Sequence, residues 1–211
     1  MSQVWYASYG SNMDPVRLRA YIAGGCLPPG RRTYPGCRDT RMPSRSEPIV
    51  LPGRMYFALE SPTWTGGLAL YDPDDPGETP AAAHLVTAGQ FADIAAQEMR
   101  REPGADVDLG ELLRTGRASL GPGRYDTLVC HGDIDGMPVV TFTAPWRSAD
   151  VEWNAPVAAY LGHVAAGLVQ TRGWSAERVA DYLVSRPGAA GAWERADVMA
   201  LAGASLSQDR R

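Results

Sequence analysis

The feature that most constrains the fold is a strand near the N-terminus that runs into a glycine loop and then a helix. Val4 to Tyr9 is rich in aromatic and β-branched residues, which favours a strand, and it leads directly into Gly10-Ser11-Asn12. Asp14-Pro15 is typical of an N-cap followed by proline at the first helical position, and Gly24-Gly25 is expected to end that helix. The sequence therefore predicts a strand, loop and helix in immediate succession.

Further strands and helices follow in an order that is typical of an α+β fold with a mixed or antiparallel sheet. Strands are predicted at Arg54 to Glu60, Gly67 to Tyr71, Ala82 to Val86, Tyr125 to His131 and Pro138 to Ala144. The last two flank Asp135-Gly136, which predicts a β-hairpin with its turn there. A capping box at Thr87-Ala88-Gly89-Gln90 predicts a helix to about Arg101. Further helices are predicted after the candidate N-caps Asn154 and Ser175, with Gly173 as a C-terminal stop. We expect one domain over residues 1–211, with a helical C-terminal extension at 175–211.

The segment from Leu27 to Pro52 lacks clear periodicity. Prolines, glycines and arginines dominate it, and this composition predicts a long irregular excursion within the domain. Long ordered loops often lie beside a functional site, so we expect this excursion to shape the mouth of one.

Charge and composition exclude several classes of protein. The 211 residues carry a net charge of −4, and the basic residues are scattered rather than gathered into a stripe, so we expect no nucleic-acid partner. All 20 basic residues are arginine. Without lysine, the chain is unsuited to pyridoxal-phosphate or aldolase Schiff bases and to a P-loop.

The cysteines and apolar segments indicate a reduced, non-membrane protein. Cys26, Cys37 and Cys130 are odd in number and widely spaced, which fits free thiols better than a disulfide framework. The N-terminus lacks the features of a signal peptide, and no apolar run reaches the roughly 20 residues of a membrane span. We therefore expect a cytoplasmic location and no membrane partner.

The sequence gives little support for a metal centre or a catalytic thiol. The histidines, His84, His131 and His163, are isolated from one another, and His131-Gly132-Asp133 falls at a hairpin turn where a solvated loop is the commoner explanation. We expect no metal and no cofactor. A thiol nucleophile at Cys37 or Cys26 stays open, although no local signature supports it.

The loop Tyr9-Gly10-Ser11-Asn12-Met13 is the first candidate for a binding site. Backbone N–H groups between a strand end and a helix start lack partners and lie at the positive end of the helix dipole, so they can bind an anion. Gly10 would permit close approach of a ligand, while Ser11 and Asn12 offer side-chain hydrogen bonds. The alternative is a strand-to-helix turn that needs glycine for geometry alone.

Glu98 is the second candidate. Phe91, Ile94, Ala95, Glu98 and Met99 follow the spacing of one helical face, whereas Asp93, Gln97 and Arg100 are expected to project elsewhere. A carboxylate on an apolar face is desolvated, which is the usual way in which an enzyme obtains a general acid or base from glutamate. The alternative is a glutamate at the edge of the stripe, paired with Arg101 or Arg124.

The loop and several later segments together resemble the γ-glutamylcyclotransferase-like family. Tyr9-Gly10-Ser11-Asn12 is similar to the family's opening signature, and Trp64-Thr65-Gly66-Gly67 to its Trp-x-Gly-Gly segment. Glu98 lies where the family carries its catalytic glutamate. Tyr125 resembles the tyrosine that opens the following hairpin, and Pro156 to Gly167 is similar to a helix near the family's C-terminus.

This resemblance implies a small mixed β-barrel, closed or nearly closed, that is flanked by helices. It also implies a metal-independent enzyme that cyclises a γ-glutamyl group to 5-oxoproline and releases the attached amine or amino acid. In that reaction Glu98 would be the catalytic residue, and Tyr9, Gly10, Ser11, Asn12, Met13 and Tyr125 would bind the substrate. For Tyr125, packing in the core is an equal alternative.

Two departures from the family pattern bear on the substrate. Ala83-His84-Leu85 stands where the family's strand usually contains glycine, and Met99 stands where a glycine often follows the glutamate. These departures concern the shape of the pocket and the substrate more than the fold. Because a fold does not determine a function, the main alternative is a non-catalytic module that binds a small acidic metabolite. A third possibility is acyl transfer on a γ-glutamylated biosynthetic intermediate with a larger acceptor, for which the excursion after Leu27 would make room.

Overall fold

The computed structural model describes residues 2–26 and 32–208, and these residues form an α+β fold. Its strands are β1 (Gln3–Ser8), β2 (Gly25–Cys26), β3 (Thr33–Tyr34), β4 (Ser46–Pro52), β5 (Arg54–Ala58), β6 (Leu68–Asp72), β7 (Glu78–Thr87), β8 (Arg117–Ser119), β9 (Thr127–Ile134) and β10 (Met137–Thr143). Its α-helices are α1 (Pro15–Ala23), α2 (Ala88–Glu98), α3 (Gly110–Thr115), α4 (Ala158–Arg172), α5 (Ala176–Val184) and α6 (Arg195–Gln208). Short 3-10 turns form at Ser11–Met13 and Ser148–Asp150.

The main sheet has six strands in the order β4-β7-β1-β10-β9-β8. Strand β1 pairs in parallel with β10, whereas β10 with β9 and β9 with β8 are antiparallel, so the predicted mixed sheet is confirmed. The barrel implied by the family resemblance is not confirmed. The sheet runs from β4 to β8, and within the described residues no pairing joins these two strands.

Strand β1 is an interior strand of this sheet. Val4, Trp5 and Ala7 are fully buried and Tyr6 is 2% exposed, so side chains on both faces of the strand lie in the core. Continuous burial on both faces explains why this segment is an unbroken apolar run rather than an alternating one.

The hairpin β9–β10 confirms the turn predicted at Asp135-Gly136. Both residues have positive φ, at 54° and 74°, as a two-residue type I′ turn requires. The Gly136 N–H donates to the Asp133 carboxylate at 3.1 Å, which stabilises the turn.

The chain divides into two compact units, each assembled from segments that are distant in sequence. The first unit comprises Met1–Ser8, Val16–Ile49 and Ala83–Pro145, and the second comprises Tyr9–Pro15, Val50–Ala82 and Trp146–Arg211. The expectation of a single domain over residues 1–211 stays a prediction.

The second unit combines a short sheet with three helices. Strands β5 and β6 pair antiparallel from Arg54 opposite Asp72 to Ala58 opposite Leu68. The outer edge of β5 is also covered, because the Phe57 N–H donates to Pro187 O at 2.8 Å and the Phe57 carbonyl accepts from the Asn154 N–H at 3.1 Å. Helices α5 and α6 fall within the range expected for a helical C-terminal extension.

The prediction of an irregular segment from Leu27 to Pro52 is wrong at the C-terminal end of that segment. Ser46–Pro52 forms strand β4, which carries two prolines and lies at an edge of the sheet, where a missing N–H is tolerated. Residues 27–31 of the excursion lie outside the described part of the chain. Sequence patterns also missed the short elements α3 and β8.

Asn154 is not a helix N-cap. Its side-chain Nδ2 donates to Leu59 O at 2.8 Å, and helix α4 begins four residues later with Val157 at the N-cap position. Ser175 is a true N-cap of α5, because its side chain accepts from the Arg178 N–H. Gly173 ends α4 in the left-handed conformation, with φ of 62°, as predicted.

Over residues 2–26 and 32–208, no helix has both the length and the apolar character that a membrane span needs. In the same ranges, His, Cys, Asp and Glu side chains do not gather in groups of three or more that could hold a metal ion.

Candidate functional site

The loop Tyr9–Met13 belongs to the second unit and is closely packed there. Tyr9, Ser11, Asn12 and Met13 are each at most 6% exposed. The Met13 N–H donates to Gly10 O and the Asp14 N–H donates to Ser11 O, both at 3.1 Å, which closes the 3-10 turn. These two bonds do not use the N–H groups of Gly10, Ser11 and Asn12, the donors predicted to hold an anion.

Gly10 has a packing reason to be glycine. A Cβ at this position would lie 3.1 Å from the Ala69 Cβ and 3.6 Å from the Tyr160 hydroxyl. The Tyr160 hydroxyl in turn accepts a hydrogen bond from the Ala69 N–H at 3.1 Å. The close neighbours of Gly10 are protein atoms, and the approach of a ligand stays a prediction.

Helix α4 holds the loop from the other side of the turn. Gly167 lies so close that a Cβ there would be 2.3 Å from the Met13 Cβ and 2.9 Å from the Asp14 N. One turn earlier in α4, His163 Nδ1 lies 2.5 Å from the Asp14 carboxylate. A glycine and a histidine on one helix face therefore fix the position of the loop.

The Trp64-Thr65-Gly66-Gly67 segment packs against the start of α4 in the same unit. The Trp64 ring contacts Tyr160 and His163, with ring centroids 6.0 and 5.7 Å away. A Cβ at Gly67 would lie 2.0 Å from the Asn154 carbonyl oxygen, so only glycine fits there. Three of the segments that carry the family resemblance thus meet in the second unit.

Glu98 lies in the first unit, at the last position of helix α2. The predicted capping box begins this helix: the Gln90 N–H donates to Thr87 Oγ1 and the Thr87 N–H donates to Gln90 Oε1, each at 3.0 Å. Glu98 is half-buried rather than buried as the apolar stripe predicts. At this position Glu98 lines a cleft in the first unit.

The fully buried carboxylate of α2 is Asp93, which the helical spacing placed outside the core. Asp93 is 0% exposed and accepts from the backbone N–H of Arg38 at 2.9 Å, from Arg38 Nε at 3.1 Å and from the Gly104 N–H at 3.1 Å. Gln97, also expected to project away, is 1% exposed and donates to Tyr21 O at 2.9 Å. These two expectations are wrong because α2 is packed on two faces, not one.

Glu98 and Tyr125 line one cleft of about 370 Å³ in the first unit. This volume is within the range of small-molecule pockets. Tyr125 is 7% exposed, and its ring packs edge-on against Phe142 with centroids 5.9 Å apart, so its position is fixed. The cleft is lined by Glu98, Met99, Arg100, Arg101, Pro122, Gly123, Arg124, Tyr125 and Asp126.

Charged groups of both signs line this cleft. Arg101 Nη2 lies 3.0 Å from the Asp126 carboxylate, which is buried and also accepts from the Gly123 N–H at 2.9 Å. Arg101 thus bonds to Asp126. In the alternative interpretation, Arg101 was one of the two arginines expected to pair with Glu98. Arg100 and Arg124 contribute two further cations to the lining.

Tyr21 is a neighbour of Glu98 that sequence patterns did not assign to the site. Burial raises the pKa of the Tyr21 phenol well above its usual value, and the negative charge of Glu98 raises it further. The phenol therefore stays protonated at neutral pH. Tyr21 is one of the buried residues of α1, and nothing in the sequence spacing linked it to a residue 77 positions later.

The structure thus brings together two of the predicted site residues, Glu98 and Tyr125. The loop Tyr9–Met13 is ordered by α4 in the second unit, and its part in the same site stays a prediction. Arg100 and Arg124 were missed as site residues. Their positions next to Glu98 and Tyr125 in the chain were the available signal.

Comparisons of the sequence with known proteins come first. No protein-family model matches the chain. Histone deacetylase 5 of Arabidopsis thaliana is 29% identical over 205 residues, a match that covers 87% of this chain and 31% of that protein. The chain therefore spans less than a third of the length of this curated relative.

Two solved structures have a TM-score of 0.51 at 14% identity. One is a γ-glutamyl cyclotransferase, matched over 94% of this chain and 98% of that chain. The other is an uncharacterized protein of Homo sapiens, matched over 89% and 90%. Identity at this level shows the fold alone, and it agrees with the resemblance found in the sequence. The chain has the mixed α+β fold of γ-glutamylcyclotransferase-like structures.

Proposed function

We propose that the protein is a γ-glutamylcyclotransferase-like enzyme that cyclises a γ-glutamyl group to 5-oxoproline and releases the attached amine or amino acid. The observation that carries this proposal is the cleft of about 370 Å³ in which a half-buried glutamate, Glu98, and a fixed tyrosine, Tyr125, lie among arginines. The fold shared with a γ-glutamyl cyclotransferase supports it.

The reaction is internal to one substrate. The α-ammonium group loses a proton to the Glu98 carboxylate, and the resulting amine attacks the γ-carbonyl carbon. The new carbon–nitrogen bond closes the five-membered ring, and the bond to the departing nitrogen breaks as that nitrogen receives the proton from Glu98. The ring nitrogen then loses its second proton to Glu98, which passes it to the released amine, so the products are the neutral lactam and an ammonium ion. Because the nucleophile and the carbonyl share one molecule, correct folding of the glutamyl chain can supply about 7–11 kcal/mol of the barrier.

The charges of the cleft match those of a γ-glutamyl group. Its α-ammonium would approach Glu98, while its α-carboxylate would approach Arg100 or Arg124, whose guanidinium groups suit bidentate carboxylate binding. The buried Tyr21 phenol stays neutral and adds no charge near Glu98. Tyr125 would position the substrate through its ring and hydroxyl.

A substrate-binding role for the loop Tyr9–Met13 is implied by the family resemblance and stays a prediction. In that prediction the N–H groups of Gly10, Ser11 and Asn12 hold an anionic group such as the developing oxyanion, a contribution of about 2.7–4 kcal/mol for one such donor in other enzymes. The tight packing of this loop on α4 supports that role, because a preorganised donor needs a fixed backbone.

A substrate panel tests the proposal. Purified protein is incubated with γ-glutamyl amino acids, γ-glutamylamines, glutathione and a γ-glutamylated intermediate with a larger acceptor, and 5-oxoproline is measured by mass spectrometry. We expect 5-oxoproline from at least one class, and the class that reacts identifies the leaving amine.

The same panel separates an enzyme from a binding module. Saturable binding of γ-glutamyl compounds without any 5-oxoproline would contradict the proposed activity and favour the non-catalytic alternative. A module that binds only anions would gain nothing from the Glu98 carboxylate in the cleft, so Glu98 counts against a binder of a purely anionic metabolite.

A further inference from the structure

A second pocket, which lies in the second unit, is strongly basic. It has a volume of about 630 Å³ and is lined on one side by Arg54 of β5 and the start of β7, and on the other by the end of α4 and helix α5. Four arginines line it, Arg54, Arg172, Arg178 and Arg186, against one acidic residue, Glu78. None of these residues belongs to the cleft of Glu98 and Tyr125. The chain as a whole has a net charge of −4, so this local excess of positive charge is a specific feature.

Aromatic rings hold three of the arginines in place. The guanidinium groups of Arg178 and Arg172 lie 4.2 and 5.4 Å from the centroid of the Trp174 ring. That of Arg186 lies 4.6 Å from the Tyr182 ring, which packs edge-on against Trp174. Stacked guanidinium groups are restricted in motion while their N–H donors stay available at the edges.

Two of these arginines also bond to neighbouring groups of the protein. Arg54 lies 3.5 Å from the Asp75 carboxylate and donates to Pro76 O at 2.8 Å. Arg172 donates to a carbonyl, Ala81 O, at 3.4 Å, and burial together with the charge of Arg178 lowers its pKa. An anion between Arg172 and Arg178 would relieve the repulsion between their charges.

The Tyr182 hydroxyl adds a neutral donor to the pocket wall. It is buried, and no hydrogen-bond partner for it is found among the described residues. Burial raises its pKa, so the phenol keeps its proton at neutral pH. A ligand oxygen could accept this hydrogen bond, since the pocket includes Tyr182 in its lining.

We propose that this pocket binds a small molecule through a phosphate or diphosphate group, with Arg172, Arg178 and Arg186 as the charged donors. Arginine binds phosphate oxygens in a bidentate manner, and several arginines suit a group that carries two or more negative charges. The volume of about 630 Å³ leaves room for the remainder of a metabolite-sized ligand.

Titration with inorganic phosphate and pyrophosphate, followed by calorimetry at constant ionic strength, tests this proposal. We expect saturable binding that is tighter for pyrophosphate than for phosphate and for citrate, a carboxylate of similar charge. Arg178→Gln and Arg186→Gln should each weaken pyrophosphate binding about tenfold or more, because each removes a charged hydrogen bond. Arg178 is exposed, so its variant is expected to fold.

Arg114→Gln is the matched control, because it makes the same charge change at an exposed position of α3 outside the pocket. Its effect on binding should stay within about twofold, since distant surface charges are screened. Equal weakening in Arg114→Gln and Arg178→Gln would overturn the proposal, as would no saturable pyrophosphate binding or citrate binding as tight as pyrophosphate. These outcomes do not depend on the cyclotransferase reaction.

Discussion

At the scale of single residues, helix α2 shows where helical periodicity succeeds and where it fails. The spacing correctly placed Phe91 and Ile94 in the core, but it also predicted burial for Glu98 and exposure for Asp93. The second partner of the helix is the segment around Arg38, which has no periodicity of its own. A buried acid whose partner lies 55 positions away in an irregular segment cannot be recognised from the helix sequence alone.

His84 is the residue whose titration should be visible in the stability of the protein. Its ring is 2% exposed and its Nδ1 lies 2.8 Å from the Ser46 hydroxyl. Burial lowers its pKa from the ordinary 6.5 to about 4. Between pH 6.5 and about 4, His84 therefore binds a proton in the unfolded chain but not in the folded chain. The resulting stabilisation is present above pH 6.5 and is lost as the pH falls toward 4, about 3 kcal/mol in all.

Urea unfolding of the wild type and His84→Asn between pH 7.5 and 4.5 measures this contribution. Asparagine keeps a polar atom near the Ser46 hydroxyl but cannot be protonated in this range. The variant should lose less stability than the wild type over this interval, because only the carboxylates and the other histidines then titrate. Parallel losses in both proteins would show that His84 does not contribute.

At the scale of elements, the end of helix α2 uses an unusual residue in a common motif. The Arg101 N–H donates to Ala96 O at 2.8 Å and the Arg100 N–H to Gln97 O at 3.2 Å, which is the Schellman pattern. Arg100 holds the left-handed position, with φ of 58°, where glycine is preferred. Met99 stands where a glycine often follows the glutamate in the family. The strained left-handed backbone position falls one residue later, at Arg100.

Replacement of Arg100 tests this strain. Arg100→Gly should be more stable than Arg100→Ala by about 1 kcal/mol, because both variants lose the side chain and only glycine relieves the backbone. For a chain of this length the difference is about 2–4 °C in melting temperature. Equal melting temperatures for the two variants would show that the backbone at this position is not strained.

Helix α4 offers a second test, at the contact between Gly167 and the loop. Gly167→Ala would place its Cβ 2.3 Å from the Met13 Cβ, so we expect the loop to shift and stability to fall by about 1–3 kcal/mol. If the loop binds substrate, the KM of the variant should also rise.

Gly162→Ala in the same helix is the control for that change. The nearest atom to a Cβ there is Leu201 Cδ2 at 4.0 Å, so alanine fits and should stabilise the helix by about 0.5–1 kcal/mol. Equal effects of the two substitutions on stability would contradict the proposed role of Gly167 as a close-packing position.

At the scale of the whole molecule, the α+β fold and most of its regular elements could be predicted from the sequence, because they carry local signals. The Thr87–Gln90 capping box and the Asp135-Gly136 turn fix their elements by themselves. Strand β4 could not be predicted in this way, since its prolines oppose a strand and only pairing with β7 explains it.

Only part of the candidate site could be predicted from the sequence. Glu98 and Tyr125 were assigned by their likeness to a family, and the structure places both in one cleft. The arginines of that cleft were not assigned to a site, because arginine is common throughout this chain and its side chain carries no periodic signal on a surface. Their role depends on contacts between α2 and the segment before β9, which only the folded chain reveals.

The central claim is that the Glu98 carboxylate transfers the proton during cyclisation. The measurement is kcat for 5-oxoproline release from the reactive substrate, for the wild type, Glu98→Gln and the control Glu102→Gln, which makes the same charge change at an exposed neighbour outside the cleft lining. We expect Glu98→Gln to lower kcat by about 100-fold or more, and Glu102→Gln to leave it within about twofold. A Glu98→Gln variant that releases 5-oxoproline at the wild-type rate would contradict the account.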